Sequence, residues 1–325
     1  MRKENPLSPN NGGTEEPTPA QVPTLPKREG DDFARSLVLD LTGLEVKIIE
    51  QAEVVKRGKL RLTNGYPVKF DLLARLLALI GKSDRAKISS RDLASSMGVA
   101  DNHMEFLGHI AHALGLTEII TYKLTLLGSL VASQDTFFDD IGTLWFLHYI
   151  ISSNPNLIVW NRFANTIVPK QYDFTMRDFR ASFDDLRLLF APTSYVRYVN
   201  AETRAIIDTY TNQQFSRLAY LREIDDGYGL GYRQPVPLLV LAASISRFRD
   251  RHQPGNTAVS VRDLLTAPNS PGVVFQMHED TLRAGLEQLK HGHGFSLEAR
   301  ADLDQLRFAE DIPEHVFMER YYASR

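Results

Sequence analysis

The sequence predicts a mainly α-helical α+β protein that contains a helix-turn-helix of the winged-helix type. Apolar residues recur at helical spacing through most of the chain after residue 66, and two short capped helices lie in tandem at 89–115, followed by β-prone runs. The predicted order is a disordered leader at 1–32, short strands or a helix at 33–65, a winged-helix domain at 66–133, a central helical bundle at 134–257, and a second winged-helix-like unit with a tail at 258–325.

The leader holds six of the sixteen prolines and few large apolar side chains. It therefore cannot bury enough surface to offset the entropy of ordering, and we expect disorder. Its acidic and basic residues nearly balance, unlike a basic arm that binds nucleic acid. Over 33–65 the apolar and β-branched residues cluster at 37–41, 45–49 and 59–62. This clustering fits either short strands or one helix.

A helix is predicted over residues 70–80, where apolar side chains recur every three or four positions and Gly81 supplies a stop. The helix-turn-helix follows. Ser89 and Asp92 offer a capping box for a short helix that Gly98 ends. After a turn at 99–102, the second helix carries an apolar stripe of five residues, Met104, Leu107, Ile110, Ala111 and Leu114.

Asn102 and Glu105 offer a capping box for this second helix, and Gly115 closes it. The β-prone runs at 117–120 and 122–125, with a strand-to-helix exit at 124–128, complete the winged-helix pattern.

The middle of the chain reads as a series of helices separated by Gly and Pro. They are predicted at 139–152, 155–166, 175–190 with a Thr175 and Asp178 capping box, 201–213 capped by Asn200, and 236–248. The glycine-rich stretch at 225–232 is interpreted as a turn, because it lacks the Gly-Lys-Ser/Thr ending of a phosphate loop.

The helix-turn-helix pattern partly recurs at 258–310. Ser260 caps a short helix, residues 267–274 form a loop, 278–290 form a longer helix, and 295–300 pairs with 303–308 as a hairpin.

Composition excludes several classes of function. The chain has no cysteine, which excludes disulfides, cysteine-bound zinc, iron–sulfur clusters and thiol catalysis. Its 37 basic and 40 acidic residues give a net charge of -3. No apolar run approaches the roughly 18–20 residues of a membrane span, so we expect a cytoplasmic protein without a membrane partner.

No acid, base and nucleophile pattern indicates an enzyme, and no cofactor is expected. His109 and His112 lack the acidic neighbour of a zinc-binding helix, and His291 and His293 fit a helix end better than a metal site.

A helix-turn-helix suggests double-stranded DNA as a partner, since the start of its second helix can face base edges in the major groove. The candidate DNA-contacting residues are Arg91, Asn102, His103, His109 and Lys123. Phe106 would face the groove with them. Charges over 82–110 balance, which weakens the electrostatic part of DNA affinity and leaves a role in protein contact open.

Several segments together resemble domain-of-unknown-function family 4007. They are 99–116 with 124–128, the run Gly142-Thr143-Leu144-Trp145-Phe146-Leu147-His148-Tyr149, Ser152-Ser153-Asn154-Pro155, Pro268-Asn269-Ser270-Pro271-Gly272-Val273-Val274-Phe275, and Glu279-Asp280-Thr281-Leu282. The resemblance covers about residues 60–310. It implies a bacterial protein encoded near phosphoadenosine-phosphosulfate-reductase-like enzymes and DNA phosphorothioation or BREX-like phage-defence loci, with no established activity. Where the family has a more basic start to the second helix, this chain has Ala100-Asp101-Asn102-His103-Met104.

The leading hypothesis is a non-enzymatic accessory component of a bacterial DNA-modification or phage-defence system. Its winged-helix units would engage DNA or position a partner enzyme from that system on DNA. The alternative is a protein–protein scaffold or regulatory subunit with no direct nucleic-acid contact.

Overall fold

The computed structural model describes residues 58–83, 88–119, 121–170, 173–300 and 303–325. The predicted leader at 1–32 and most of the segment at 33–65 lie outside the described residues. Within the described residues the protein is mainly helical with two small sheets, as the α+β prediction requires. None of the described helices combines the length and apolar character that crossing a membrane requires.

The helices are numbered in chain order, and some of them are followed by short 3-10 or π-helical turns. They are α1 (Phe70–Gly81), α2 (Ser90–Met97), α3 (Asp101–Ala113), α4 (Leu126–Gln134), α5 (Ile141–Ser152), α6 (Ile158–Arg162), α7 (Val168–Lys170), α8 (Met176–Ala181), α9 (Pro192–Thr211), α10 (Leu238–His252), α11 (Val261–Thr266), α12 (Pro271–Val274), α13 (Glu279–Leu289) and α14 (Glu314–Ala323). A π-helical turn, Phe163–Ile167, joins α6 to α7.

The two short tandem helices predicted at 89–115 are present as α2 and α3. The Ser89 hydroxyl accepts the Asp92 N–H and begins α2, and Gly98 ends it with a left-handed φ of 65°. The second predicted capping box is wrong. Ala100, in extended backbone, is the N-cap of α3 and makes no side-chain cap, so Asn102 already lies inside the helix. The turn is shorter than predicted because the reversal at Gly98 lets α3 begin at Asp101.

The two β-prone runs after α3 meet in one isolated antiparallel bridge between Thr117 and Leu124. Thr125 ties this bridge to the next helix. Its hydroxyl donates to the Gly115 carbonyl at 2.6 Å and accepts the Gly128 N–H at 2.9 Å at the start of α4. The strand-to-helix exit predicted here is therefore a bridge followed by a capped helix.

Several boundaries in the middle of the chain differ from the prediction. The helix predicted at 175–190 keeps its Thr175 and Asp178 capping box but ends at Ala181, and a short 3-10 turn, Asp184–Leu186, follows. The helix predicted from residue 201 begins at Pro192, which leaves Asn200 in its interior. Proline at the first turn is tolerated there, because that N–H has no helical partner to lose.

The predicted turn at 225–232 and loop at 267–274 are also corrected. Strands β2 (Leu221–Ile224) and β3 (Gly227–Leu230) form a hairpin, and β1 (Asp173–Phe174) pairs with the other edge of β3. A Cβ at Gly227 would lie 2.4 Å from the Phe174 carbonyl oxygen, so glycine permits the close pairing. The loop contains α12, which the Ser270 side chain caps.

The second sheet has the order β4-β6-β5 and is antiparallel. Its strands are β4 (Ala258–Ser260), β5 (Phe295–Arg300) and β6 (Leu303–Phe308). The β5–β6 hairpin has the predicted bounds, with Phe295 opposite Phe308. Ser260 caps α11 as predicted.

The segments that carry the family resemblance meet in the core. His148 is fully buried, its Nε2 donates to the Val274 carbonyl at 3.1 Å, and its Nδ1 accepts the Tyr210 hydroxyl at 2.5 Å. The Tyr149 hydroxyl donates to the Asn269 carbonyl at 3.0 Å. Residues 142–149 and 268–275 are therefore bound to each other across the centre of the fold.

A second link between resemblance segments uses asparagine side chains. The amide groups of Asn161 and Asn165 both donate to the Ser152 carbonyl, at 2.9 and 3.0 Å. They also hold Asn269, whose side-chain oxygen accepts from Asn161 and whose N–H donates to Asn165, each at 2.6 Å. These motifs thus have a structural explanation in the packing of the core.

Candidate nucleic-acid interface

The outer face of α3 does not have the character of a DNA-reading surface. Arg91 lies on α2 and is paired with Asp101, its Nε being 3.8 Å from the carboxylate. Asn102 is exposed on the first turn of α3, beside the exposed side chains of Asp101 and Glu105. Two carboxylates on this face would repel the phosphates on either side of a major groove.

The other face of α3 is covered by segment 58–69, which turns at residues 63–66. His103 stacks on Tyr66, with ring centroids 5.2 Å apart and planes at 23°. Phe106, predicted to face the groove, is only 7% exposed, and the Arg61 guanidinium lies 5.3 Å from its ring centre. The prediction for Phe106 is wrong because a segment that precedes α1 packs along this helix.

Lys123 is exposed but lies in a different depression. It follows the bridge after α3 and shares its depression with residues at the end of α1, among them Ile80 and Ser83. The structure therefore does not bring Lys123 together with His109. Of the five candidate residues, His103 and His109 lie along the covered side of α3, whereas Arg91 and Asn102 lie toward its outer face.

A cleft of about 400 Å³ opens between α3, α9 and segment 58–69. We call it the α3–α9 cleft. Its lining residues are Gly58, Lys59, Leu60, Arg61, Leu62, His109, His112, Ala113, Ile119, Asn154, Leu157, Phe190, Ser194 and Tyr198. The floor is mostly apolar and the polar side chains converge on it, which is the usual composition of a ligand site.

Hydrogen bonds hold segment 58–69 at both ends of the cleft. At one end the Lys59 N–H donates to the Asn156 carbonyl at 2.7 Å, and the Lys59 carbonyl accepts the Ile158 N–H at 3.2 Å. At the other end the buried carboxylate of Glu202, on α9, accepts the backbone N–H groups of Leu62 and Thr63. Because both ends are anchored, the side chains of residues 59 and 61 start from a fixed backbone.

The permanent charges on the residues that line the cleft are all positive. Lys59 and Arg61 supply two permanent positive charges, and none of the described residues that line the cleft is Asp or Glu. The pKa of His109 is lowered, chiefly because the ring is partly buried; the nearby carboxylate of Glu105 opposes this shift, and the positive charges of Lys59 and Arg61 add to it. His109 is therefore a neutral hydrogen-bonding group at neutral pH, and the lysine and arginine are the anion-attracting groups.

Aromatic rings surround the Arg61 side chain. Its guanidinium carbon lies 5.3 Å from the ring centre of Phe106 and 5.5 Å from that of Tyr198. Arg197 lies over the same tyrosine ring at 5.7 Å. Cation–π contacts of this kind hold a guanidinium in place while its N–H groups stay available to an anion.

The sequence-based predictions did not include Lys59, Arg61 or Tyr198, which line the cleft with His109. Lys59 and Arg61 alternate with Leu60 and Leu62, a pattern that places both cations on one side of an extended segment, and this signal was present in the sequence. No local pattern connects them to Tyr198, which lies more than a hundred positions away.

A metal centre finds no support in the residues that the structure describes. His109 and His112 both line the cleft, but no third His, Asp or Glu joins them there. Across the described ranges, no three such side chains group closely enough to hold an ion. The His112 Nδ1 instead donates to the Thr117 carbonyl at 3.0 Å.

Comparison with known proteins gives the fold and the family. Two crystal structures of SspB, one of them magnesium-bound, are similar to this chain, with TM-scores of 0.66 and 0.65 at 16% identity. Each match covers 81% of this chain and 87% of the other. At this identity the likeness shows a shared fold alone. A search of curated protein sequences found no significant match.

A sequence profile described as a protein of unknown function, DUF4007, matches residues 64–322. The matched range begins beside Tyr66 and includes α1 through α13 and most of α14. The resemblance inferred from separate motifs is thereby confirmed, and the chain belongs to the DUF4007 family.

Proposed function

We propose that the protein is a non-enzymatic accessory component of a bacterial DNA-modification or phage-defence system and that it engages DNA at the α3–α9 cleft. The observation that carries the proposal is the placement of Lys59 and Arg61 beside His109 and His112 with no carboxylate in the lining. Such a surface attracts phosphates by releasing the counterions that surround DNA.

The winged-helix interpretation belongs to this proposal. Residues 66–133 and 258–310 each place three consecutive helices before a β element, and we take both as winged-helix units that serve as scaffolds. Their third helices do not read the major groove in this proposal. The outer face of α3 carries Asp101 and Glu105, and the start of α13 carries exposed Glu279 and Asp280.

The cellular setting comes from the family resemblance. Association with DNA phosphorothioation or BREX-like loci would supply modified double-stranded DNA and a protein partner of the same system. The magnesium ion of the SspB structure is not carried over, because the described residues of this chain hold no group of three His, Asp or Glu side chains suited to an ion.

The test is binding of a labelled random duplex, measured by fluorescence anisotropy at several salt concentrations with and without phosphorothioate linkages. We expect binding that weakens steeply with salt, and a preference for the modified duplex would identify the pathway. Lys59→Glu and Arg61→Glu should each reduce affinity roughly tenfold or more and lower the salt slope by about 0.9 for every phosphate that the variant no longer neutralises.

Lys123→Glu is the matched control, since it makes the same charge change at an exposed lysine outside the cleft. It should bind duplex as the unaltered protein does. If Lys123→Glu loses binding while Lys59→Glu keeps it, the contact surface is the one predicted from the helix-turn-helix. If the unaltered protein binds neither duplex nor single-stranded DNA at low salt, the proposal fails.

A protein–protein scaffold is the second candidate, and a separate observation favours it. Leu188, Leu189 and Val196, before and within the start of α9, are 96%, 53% and 54% exposed. Large apolar side chains exposed near one another in sequence favour a protein contact site. A complex with a co-encoded protein that forms without DNA, resists salt and is lost in Leu188→Glu would support this candidate.

A further inference from the structure

We infer that the nucleic acid enters the α3–α9 cleft as an unpaired strand, with one nucleotide in the cleft and a neighbouring base on Tyr66. This inference rests on the proposed function and specifies its substrate class. The feature that supports it is the combination of a mostly apolar floor, two cations and an exposed stacking ring along one side of α3.

The size and floor of the cleft fit a single nucleotide better than a duplex backbone. Ligand sites typically range from about 300 to 1,000 Å³, and the cleft at about 400 Å³ is at the small end. Its floor includes the buried side chains of Leu60, Leu62 and Leu157. A duplex presents only phosphates and sugars to such a floor, whereas an unpaired base can cover it with an apolar face.

Positively charged side chains lie along the path that the phosphates of a bound strand would take. Lys59 and Arg61 are exposed at the cleft, and Lys69 is exposed farther along the same segment. Lys69 lines a shallow depression with Tyr66, His103 and Phe106. Arg61 connects the α3–α9 cleft with this depression, because it lines the cleft and lies over the ring of Phe106, which lines the depression.

Tyr66 provides the stacking surface. It is 48% exposed, although one face of its ring is stacked on His103. The histidine fixes the plane of the tyrosine, so a base that stacks on its exposed part meets an oriented ring. Alternation of cations with aromatic rings along a groove is the usual arrangement for binding single strands without reading their sequence.

The experiment compares a labelled thymidine 12-mer with a duplex of the same length, by fluorescence anisotropy with the full-length protein. We expect the single strand to bind at least tenfold more tightly. Tyr66→Ala should weaken single-strand binding by roughly 5- to 100-fold, the usual range for losing one stacked base. Tyr66→Phe keeps the ring and should bind normally, which separates stacking from the tyrosine hydroxyl.

Lys59→Glu should lower the salt slope for the single strand by about 0.7 for each phosphate left without its cation, and Lys123→Glu should leave the slope unchanged. Thermal unfolding of each variant shows whether it is folded. A competition arm with thymidine 5′-monophosphate separates a strand from a free nucleotide as the source of the phosphate. Displacement only by oligonucleotides supports the inference, and full displacement by micromolar mononucleotide would instead make the cleft a free-nucleotide site.

Equal affinity for single strand and duplex, or normal binding by Tyr66→Ala, overturns the inference and leaves the proposed function in place. Failure to bind either form overturns both. Because duplex and single strand are measured in parallel, the two failures are distinguishable.

Discussion

Glu202 holds Thr63 through both carboxylate oxygens: Oε1 accepts the backbone N–H at 2.8 Å, and Oε2 accepts the hydroxyl at 3.0 Å. The same Oε1 accepts the N–H groups of Leu62 at 3.0 Å and Asn64 at 2.8 Å. Burial raises the pKa of this carboxyl, and the hydrogen bonds oppose that effect. Glu202 therefore anchors to α9 the segment that carries the cations of the cleft.

Replacing Glu202 with alanine should destabilise the protein by about 3 kcal/mol, because several buried N–H groups lose their acceptor. Urea unfolding measures the change. Thr63→Ala, which removes only the hydroxyl bond, should cost about 1 kcal/mol. An unchanged unfolding midpoint for Glu202→Ala would contradict the anchoring role.

The stability of the protein should fall in mild acid because of His148. Burial among aromatic rings lowers its pKa from 6.5 to about 4, so the folded protein keeps this ring neutral while the unfolded chain takes up a proton. The contribution is fully present above pH 6.5 and is lost as pH falls toward 4, by about 3 kcal/mol in total.

The measurement is the free energy of unfolding between pH 7 and pH 4.5. His148→Gln should show a shallower decline than the unaltered protein. Should His148→Gln not fold, an NMR titration of the unaltered protein reports the ring directly. A titration midpoint of the His148 ring near pH 6.5 would refute the prediction.

Gly128 is required for steric reasons at the start of α4. A Cβ built there would lie 1.9 Å from the Leu116 carbonyl oxygen, and a backbone atom cannot move aside as a side chain can. We expect Gly128→Ala to cost about 3 kcal/mol. Gly98→Ala is an informative comparison, since no atom lies within 4 Å of its Cβ and only the left-handed φ of 65° is unfavourable. That change should cost about 1 kcal/mol, measured by the same urea unfolding. Equal costs at the two positions would argue against the steric account.

Arg61 should be sensitive to replacement by lysine. The guanidinium lies over both Phe106 and Tyr198, and an ammonium group keeps the charge but loses the planar stacking. We expect Arg61→Lys to lower stability by less than about 1 kcal/mol and to weaken DNA binding less than Arg61→Glu does. Anisotropy titrations of the two variants at one salt concentration provide the comparison. Equal reductions in affinity would show that charge alone does not describe this position.

Local signals were sufficient for several elements whose physical cause lies within a few residues. The Ser89 and Ser260 caps, the left-handed Gly98, the Thr175 and Asp178 capping box and the β5–β6 hairpin are all present. Each depends on a side chain within reach of a nearby backbone N–H, or on a turn between adjacent strands. Their energetics do not require knowledge of the rest of the molecule.

Other predictions were wrong because they depend on contacts between distant parts of the chain. Phe106 is apolar at the edge of the α3 stripe, and only the packing of segment 58–69 decides that it is covered. The helix predicted at 175–190 stops at Ala181, where the chain instead buries Phe183 and Leu186 and pairs Asp185 with Arg162. Such choices depend on partners distant in sequence.

By itself the sequence determined the mainly helical class, the two tandem helices α2 and α3, several of the caps and the family, because these follow from periodicity, local hydrogen bonding and recurrent motifs. Only the tertiary structure decided that Lys59 and Arg61 meet His109, His112 and Tyr198 around one cleft. The reason is physical: a cleft exists where α3, α9 and segment 58–69 fail to close on one another, and that depends on how elements far apart in the chain pack.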